Sequence, residues 1–585
     1  MHKFHRIKTF LVILSVIFLC SITAEAKNKG IENFGILVET ESEDYEYKVN
    51  WWKSEQSQDN YYYLVLPYSV KNKQITLNYE SNGAIFCDGK MLANGMEMPA
   101  LEQGEHQLSC QDENYTLCVL YGSNIPVLHI GTDAGTMEEV YADKSHKEPG
   151  YAAIIQDGSI VYKGNLSYIK GRGNATWDYD KKPFNIKFEE KIDLFGMGKA
   201  KKWTLMANYL DDTLMKNKLA CDFADLIGID FSSKSMLVDL YIEGEYYGNY
   251  TLIESIEIGE NRIDITDLEE ANEQANATVE MDELKIGGVR GVDSYLEKGS
   301  YKWCELPTSP GAVNGGYLLE FELGERYNDE VSGFVSNYGQ PVILKSPEYA
   351  SKEQVNYIRS YYQEFEDAVL SKDGYNAQGK HYSEYVDIDS FAKMYVFQEY
   401  VKNLDAGLTS CYFYKDVNAK MVAGPVWDFD CALGRYKERN GVQMADPDGE
   451  WVSKGTLLGD LSEKKTIFAL LCAHEDFRIQ AKKQWEEYFE PNIDVFLQEL
   501  ELLYSTNRES MIADKCKWKN KGDYSATEEW FEKCVESLKS FVLDRSKFMT
   551  EMFMMENLPL NQEVVMNEKQ TFIELIKNFL KRIIG

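Results

Sequence analysis

Between residues 27 and 124, apolar and polar positions alternate in short runs, as in YYYLVLPYSV (61–70), KQITLNY (73–79) and YTLCVLY (115–121). Ser81-Asn82-Gly83 and Asp88-Gly89 punctuate them. A period of two bounded by turn-formers predicts half-buried strands, and residues 27–124 are expected to form a small immunoglobulin-like β-sandwich. No catalytic grouping falls in it, so it reads as a spacer or attachment module. From Ile125 a strand-rich stretch leads into KKWTLMANYLDDTLMKNKLACDFADLIG (201–228). There Leu214, Leu219, Phe223 and Leu226 give a helix one apolar face, and Gly228 stops it. VDLYIEGEYYGNYTLIESIEIGENRIDI (238–265) predicts a hairpin turning at Glu243-Gly244-Glu245.

Residues 266–312 are acidic, glycine-containing and weakly periodic, the pattern of an insertion or mobile loop. Strands return in GGYLLEFE (315–322) and VILKSPE (342–348). Beyond Ser351 the pattern is mostly helical, with packed helices expected at 463–490, 493–512 and 526–555. CYFYKD and KMVAGPVWDFD interrupt it as a hairpin that carries Asp428 at its end. The fold class is therefore α+β: an all-β first domain, then a mixed domain over 125–555 with a helical C-terminal part. The final TFIELIKNFLKRIIG (571–585), within 556–585, is amphipathic and locally basic. It reads as a docked terminal helix, with a membrane-surface helix as the alternative.

The N-terminus adds a compartment. Lys3, Arg6 and Lys8 precede an apolar run from Phe10 to Cys20, and Ala24-Glu25-Ala26 offers a cleavage site. Residues 1–26 are read as a secretory signal, because the run is too short to span a bilayer. Cys20 leaves a lipid-modified N-terminus as the alternative. The chain is expected to be exported, extracellular or at the cell surface, without a transmembrane segment. Its formal net charge of −33 opposes nucleic acid or an anionic membrane as the main partner and suits a cationic polypeptide. Of eleven Cys one lies in the signal, and no Cys-x-x-Cys pair or histidine cluster occurs, so spacing predicts no structural zinc site.

The chemistry concentrates near the C-terminal side. GPVWDFDCALG (424–434) places Asp428 between two aromatic residues, and Asp405 precedes it by 23 positions, in YVFQEYVKNLDAGLTSCYFYKD. Phosphoryl transfer from ATP needs two carboxylates in different jobs: one orients the attacking hydroxyl, the other holds a metal ion against the phosphates. An Asp between Trp427 and Phe429 must be paired or metal-bound if buried. Gly171-Arg172-Gly173-Asn174 could bring backbone N–H groups and a guanidinium to phosphate oxygens, or be a plain tight turn.

These segments together resemble the CotH kinase family, named for a spore-coat protein and distantly related to protein kinases. The resemblance rests on KGRGNATW, KKPFNIKF, KKWTLMANYLDDT, YIEGEYYGNYTLIE, GGYLLEFE, QEYVKNLDA and GPVWDFDCALG, in the family's order over about 125–480. It implies an atypical protein-kinase-like fold and ATP-dependent phosphorylation of Ser or Thr hydroxyls, with Mg²⁺, or Mn²⁺ or Ca²⁺, as metal. Asp405 matches the catalytic Asp and Asp428 the metal-binding Asp, with Asp430 a second ligand. Arg172 and Gly173 match the phosphate-covering loop. Lys187 resembles the strand lysine on the phosphates, with Lys182 its rival and its carboxylate partner open among Asp211, Asp212, Asp222, Asp225 and Glu254. Ser410 stands where protein kinases carry a metal-binding Asn, a departure from the pattern. The acidic surface suggests a Ser-rich, basic protein substrate, for instance a coat or surface protein. The alternative is a catalytically inactive coat-assembly or adhesion protein; a glycosidase has no defined carboxylate pair in its favour.

Overall fold

A computed structural model describes residues 30–555 apart from 41–44, 55–59, 289–297, 312, 436–442 and 459–460. The signal segment and the 571–585 helix lie outside the described residues. The first ten strands are β1 (Ile31–Glu39), β2 (Glu46–Asn50), β3 (Trp52–Lys53), β4 (Tyr61–Leu66), β5 (Gln74–Ser81), β6 (Ile85–Cys87), β7 (Lys90–Leu92), β8 (Glu97–Pro99), β9 (Gly104–Cys110) and β10 (Glu113–Tyr121). They divide between two sheets. One has the order β3-β4-β10-β9-β6-β7, with β4 and β10 parallel. The other four strands, β2-β1-β5-β8, extend a larger sheet that continues into the next segment.

That next segment contributes β11 (Val127–Thr132), β12 (Glu148–Gln156), β13 (Ser159–Gly171), β14 (Phe184–Asp193), β15 (Lys199–Met206), β16 (Ser235–Ile242) and β17 (Glu245–Glu254). They run in the order β15-β14-β13-β12-β11-β16-β17, and β15 pairs again with β17 through Trp203↔Glu254 to Met206↔Thr251, closing a seven-stranded barrel. Its interior is a separate apolar cluster that includes Ile130, Ile154, Ile186, Trp203, Leu240 and Leu252. Alternation sorts the two faces of the barrel: Phe184, Ile186 and Phe188 point inward, so Asn185 and Lys187 point out. The expected hairpin turns at Glu243-Gly244, where Glu243 (φ 51°) and Gly244 (φ 82°) both take the left-handed backbone of a tight turn.

The third sheet collects β18 (Ile286–Gly288), β19 (Tyr301–Cys304), β20 (Tyr317–Phe321), β21 (Gly333–Val335), β22 (Pro341–Ser346), β23 (Cys411–Lys415) and β24 (Met421–Ala423), all antiparallel, in the order β18-β19-β21-β22-β20-β23-β24. The helices used below are α1 (Lys216–Leu226), α2 (Leu268–Ala275), α3 (Lys352–Leu370), α4 (Ile388–Tyr400), α5 (Glu475–Gln484), α6 (Ile493–Trp518) and α7 (Tyr524–Met555). A capping box between Ser351 and Gln354 starts α3, and Asp387 caps α4. One correction falls on 266–312: α2, β18 and β19 give much of it regular structure, and β19 pairs with β21 inside the third sheet. Its weak periodicity comes from the shortness of these elements, since β18 has three residues and β19 four.

One continuous apolar core runs from Phe34 through the third sheet to Phe553. The β-rich first segment is fastened to α6 by Ser123 N–H donating to Ser510 Oγ (2.7 Å) and Asn520 Nδ2 donating to Tyr63 OH (3.2 Å). Beneath this junction Asp239 is buried and accepts hydrogen bonds from Ser510 Oγ (2.5 Å) and Tyr246 OH (3.3 Å). Lys181 pairs with Asp514 beside it. Burial pushes Asp239 up to about 7, while the Ser510 and Tyr246 hydrogen bonds oppose that rise. The folded chain then keeps a proton that the unfolded chain releases near 3.8, so this group's stabilisation is lost as pH rises from about 4 through about 7. Asp239→Asn should flatten the pH dependence of stability across that window in urea unfolding series; an unchanged slope would remove Asp239 as its cause.

Candidate functional site

The WDFD turn is held by α1. Asp211 is fully buried and caps the start of that helix, accepting from Thr213 N–H (2.8 Å) and Lys216 N–H (2.8 Å). Two side chains of the first helical turn then reach the aspartate segment. Lys216 Nζ donates to Ala432 O (2.9 Å), and Asn217 Oδ1 accepts from Phe429 N–H (2.7 Å). Phe429 is fully buried and packs edge-on against Phe397 of α4, with ring centroids 5.5 Å apart. The start of α1, positioned by Asp211 of the KKWTLMANYLDDT motif, therefore acts as a clamp on the turn. Asn217→Ala would leave the buried Phe429 N–H without an acceptor and should cost about 1–3 kcal/mol in urea unfolding. A loss below a few tenths would show that the turn holds itself.

Asp428 takes a left-handed backbone (φ 65°), which tips its carboxyl off the strand direction. It is half-buried, Asp430 is buried, and the two carboxyls interact directly. Burial raises both, and the like charge of Asp428 drives Asp430 well above the carboxylate range. Asp405 and Asp211 add to the negative field on Asp430. Asp405 begins a turn after α4, half-buried, its carbonyl accepting from Leu408 N–H (2.9 Å). The turn comes from Asn403 Oδ1, which accepts the Asp405 N–H at 3.2 Å.

Arg172 faces these acids from the barrel. It lies just past the end of β13 with its guanidinium over the Trp427 ring (5.3 Å), and the charges of Asp428, Glu320 and Asp430 oppose the lowering that desolvation imposes on it. Gly173 follows with φ 81°, and a Cβ there would collide with Thr176 Oγ1, so the close turn requires glycine. Its carbonyl accepts from Lys144 Nζ (2.8 Å).

Lys187 lies elsewhere on the barrel's outer face. It pairs across strands with Tyr168 and Lys202, and the charges that most affect it are Lys202, Lys201, Lys147 and Glu257. Lys147 and Lys170 both sit 5.7 Å from the Tyr168 ring. Desolvation, then these neighbouring lysines, lower Lys187 and Lys170. Lys170 and Lys345 both feel Glu348, and Lys345 pairs with Glu320 (3.7 Å), whose charge also acts on Arg172. The rival Lys182 is tied instead to Trp177 O (2.6 Å). Among the candidate carboxylate partners, Glu254 is occupied by Arg262 (2.6 Å) and Lys234 N–H (2.8 Å). The nearest acid to the row is Glu257, 3.5 Å from Lys202.

Sequence reasoning missed Glu320, Glu322 and Lys345. Glu320 and Glu322 are both buried at the end of β20. Burial pushes Glu320 up to about 7 against the pull of Lys345. Glu322 accepts from Thr409 Oγ1 (2.8 Å), tying the Asp405 turn to the third sheet. The signal was available: two glutamates spaced by one residue at the end of an otherwise apolar strand, where a carboxylate must have a partner.

The site thus joins carboxyls raised by burial to a guanidinium that stacks on Trp427 and feels their charge, a pattern suited to a cation and a phosphorylated ligand, while a crowded row of lysines lies on the barrel's outer face. The chain belongs to the CotH kinase family: the family model described as CotH kinase protein matches residues 169–549, which takes in Arg172 through both aspartate turns. Inner spore coat protein H of Bacillus subtilis (strain 168) is 23% identical over 238 residues, covering 37% of this chain and 64% of that protein. Among the described residues no helix is long and apolar enough to cross a membrane.

Proposed function

We propose that this site transfers the γ-phosphoryl group of ATP to Ser or Thr hydroxyls of a protein substrate. The observation that carries the reading is the convergence of Asp428, Asp430, Asp405 and Arg172 at one place. Two adjacent carboxyls, both raised by burial and the second also by the charge of the first, fit a hard divalent cation, since such an ion offsets their charge. Asp428 and Asp430 would hold Mg²⁺, or Mn²⁺ or Ca²⁺, and when bound it would neutralise charge on the phosphates. Lys187, Lys202 and Lys170 supply positive charge for the phosphate chain, and Arg172 balances charge at the transferring group. Asp405 accepts the hydroxyl proton as the substrate oxygen bonds to phosphorus and the bond to ADP breaks.

The net charge of −33 supports a basic, Ser-rich substrate drawn in by attraction. The relative's printed name supports a coat protein as partner. It equally supports the second reading, an assembly role without catalysis. Export through residues 1–26 completes the proposal. To test it, the purified chain is incubated with γ-labelled ATP, Mg²⁺ or Mn²⁺, and Ser-rich peptides with and without Lys and Arg. Label on the basic peptide is expected. No label on any peptide or on the chain itself, with any metal, would leave the assembly reading standing.

A further inference from the structure

The β-rich first segment places three metal-ligating side chains together, away from the cleft. Cys87 ends β6, Asp88 opens the left-handed turn to β7 (φ 49°), and His106 projects from neighbouring β9. Their ligand atoms all lie within 4.8 Å of one another. Cys87 Sγ is 3.8 Å from Asp88 Oδ2, and His106 Nδ1 is 2.7 Å from the same oxygen.

The imidazole is oriented from behind. His106 Nε2 lies 2.8 Å from the carbonyl oxygen of Glu102, which can only accept, so Nε2 carries a hydrogen. Gln107 N–H donates to the other oxygen of Asp88 at 2.9 Å and fixes that carboxyl. Nδ1 is therefore the ring nitrogen that meets Asp88 Oδ2, at 2.7 Å, inside the three-donor cluster. A ring nitrogen donating to a backbone carbonyl while its partner nitrogen ligates is the usual second-layer arrangement of metal-bound histidine.

We propose that Cys87, Asp88 and His106 form a Zn²⁺ site that staples the β6–β7 hairpin to β9. A thiolate, an imidazole and a carboxylate suit Zn²⁺ better than the hard cation of the cleft. Three protein donors leave one coordination position, and Asp88, with 51% of its side chain exposed, leaves it open to water. Metal binding replaces the Cys87 thiol proton, which is released to solvent, so affinity should fall as pH falls.

The test uses the full chain, stripped with a chelator and titrated with Zn²⁺ against a chromophoric competitor, then with Co²⁺ followed by absorption. One equivalent should bind with a thiolate-to-cobalt charge-transfer band, a band that oxygen ligands of the cleft do not give. Cys87→Ser should abolish that band, and Cys87→Ser and His106→Gln should each weaken Zn²⁺ binding by about tenfold or more. Asp428→Asn should leave both readouts unchanged. The cobalt spectrum of the unsubstituted chain decides the matter even if a variant misfolds. A spectrum without a thiolate band, or equal Zn²⁺ affinity in the variants, would overturn the site and leave His106–Asp88 as an ion pair that shares a proton.

Discussion

Asp405→Asn is expected to slow phosphoryl transfer by about 10²–10⁴-fold, the range lost with a positioned proton acceptor, while ATP binding stays near that of the unsubstituted chain. Asp405 sits on a turn fixed by Asn403, outside the Asp428–Asp430 turn, and acts on Asp430 through its charge. Its removal should therefore lower the turnover rate without changing the ATP concentration at half-saturation. Asp428→Asn should behave differently, losing turnover and weakening ATP binding together, because the proposed metal joins the two. Initial rates over an ATP series at fixed Mg²⁺ separate these outcomes. Asp405→Asn with full turnover, or both variants with the same kinetic signature, would mean the two carboxylates do not divide the work.

Arg545→Ala should destabilise the fold by about 3–5 kcal/mol, the cost of stranding a buried charge. Arg545 on α7 and Glu399 on α4 are both fully buried and pair at 2.7 Å. Arg545 also donates to Pro447 O, Gly449 O and Glu399 O at 2.6–2.7 Å. Glu399 accepts from Trp451 N–H and Val452 N–H, each at 2.7 Å. Lys402 extends the network by donating to three carbonyls, of Gln443, Asp446 and Asp448. The pair thus fastens the 443–453 segment and α7 to α4, whose end leads into the Asp405 turn. Urea unfolding gives the measurement. The double change Arg545→Met, Glu399→Gln should recover part of the loss, since no unpaired charge remains and a side-chain oxygen still accepts from the Trp451 or Val452 N–H group; a single variant that loses under 1 kcal/mol would deny the network its role.

Local patterns gave the strands and helices: the apolar face of α1, the Glu243-Gly244 hairpin and the β23–β24 hairpin ahead of Asp428 all follow from spacing and turn residues. Barrel closure did not show, because the β15–β17 pairing joins strands whose alternation is satisfied with or without it. Residues 266–312 were obscured by composition, since strands of three or four residues carry too few positions for a period to register. At the site, the motif spacing and the family resemblance pointed to Asp405, Asp428, Asp430 and Arg172, which the fold brings near one another. Lys187 sits in a lysine row whose members come from three strands. Its acidic neighbour Glu257 lies beyond the end of β17, where only the folded register reveals it.

The central claim is that the raised Asp428–Asp430 pair is the seat of a nucleotide-bound cation. Calorimetric titration of the chain with ATP, with and without Mg²⁺ and in two buffers of different ionisation enthalpy, tests it most directly. Tight binding should require Mg²⁺ and should be accompanied by net proton release, because burial holds both carboxyls above their usual range and the metal favours their ionised form, and Asp428→Asn should lose both effects. ATP binding that is indifferent to Mg²⁺, or a proton release that persists in Asp428→Asn, would contradict it.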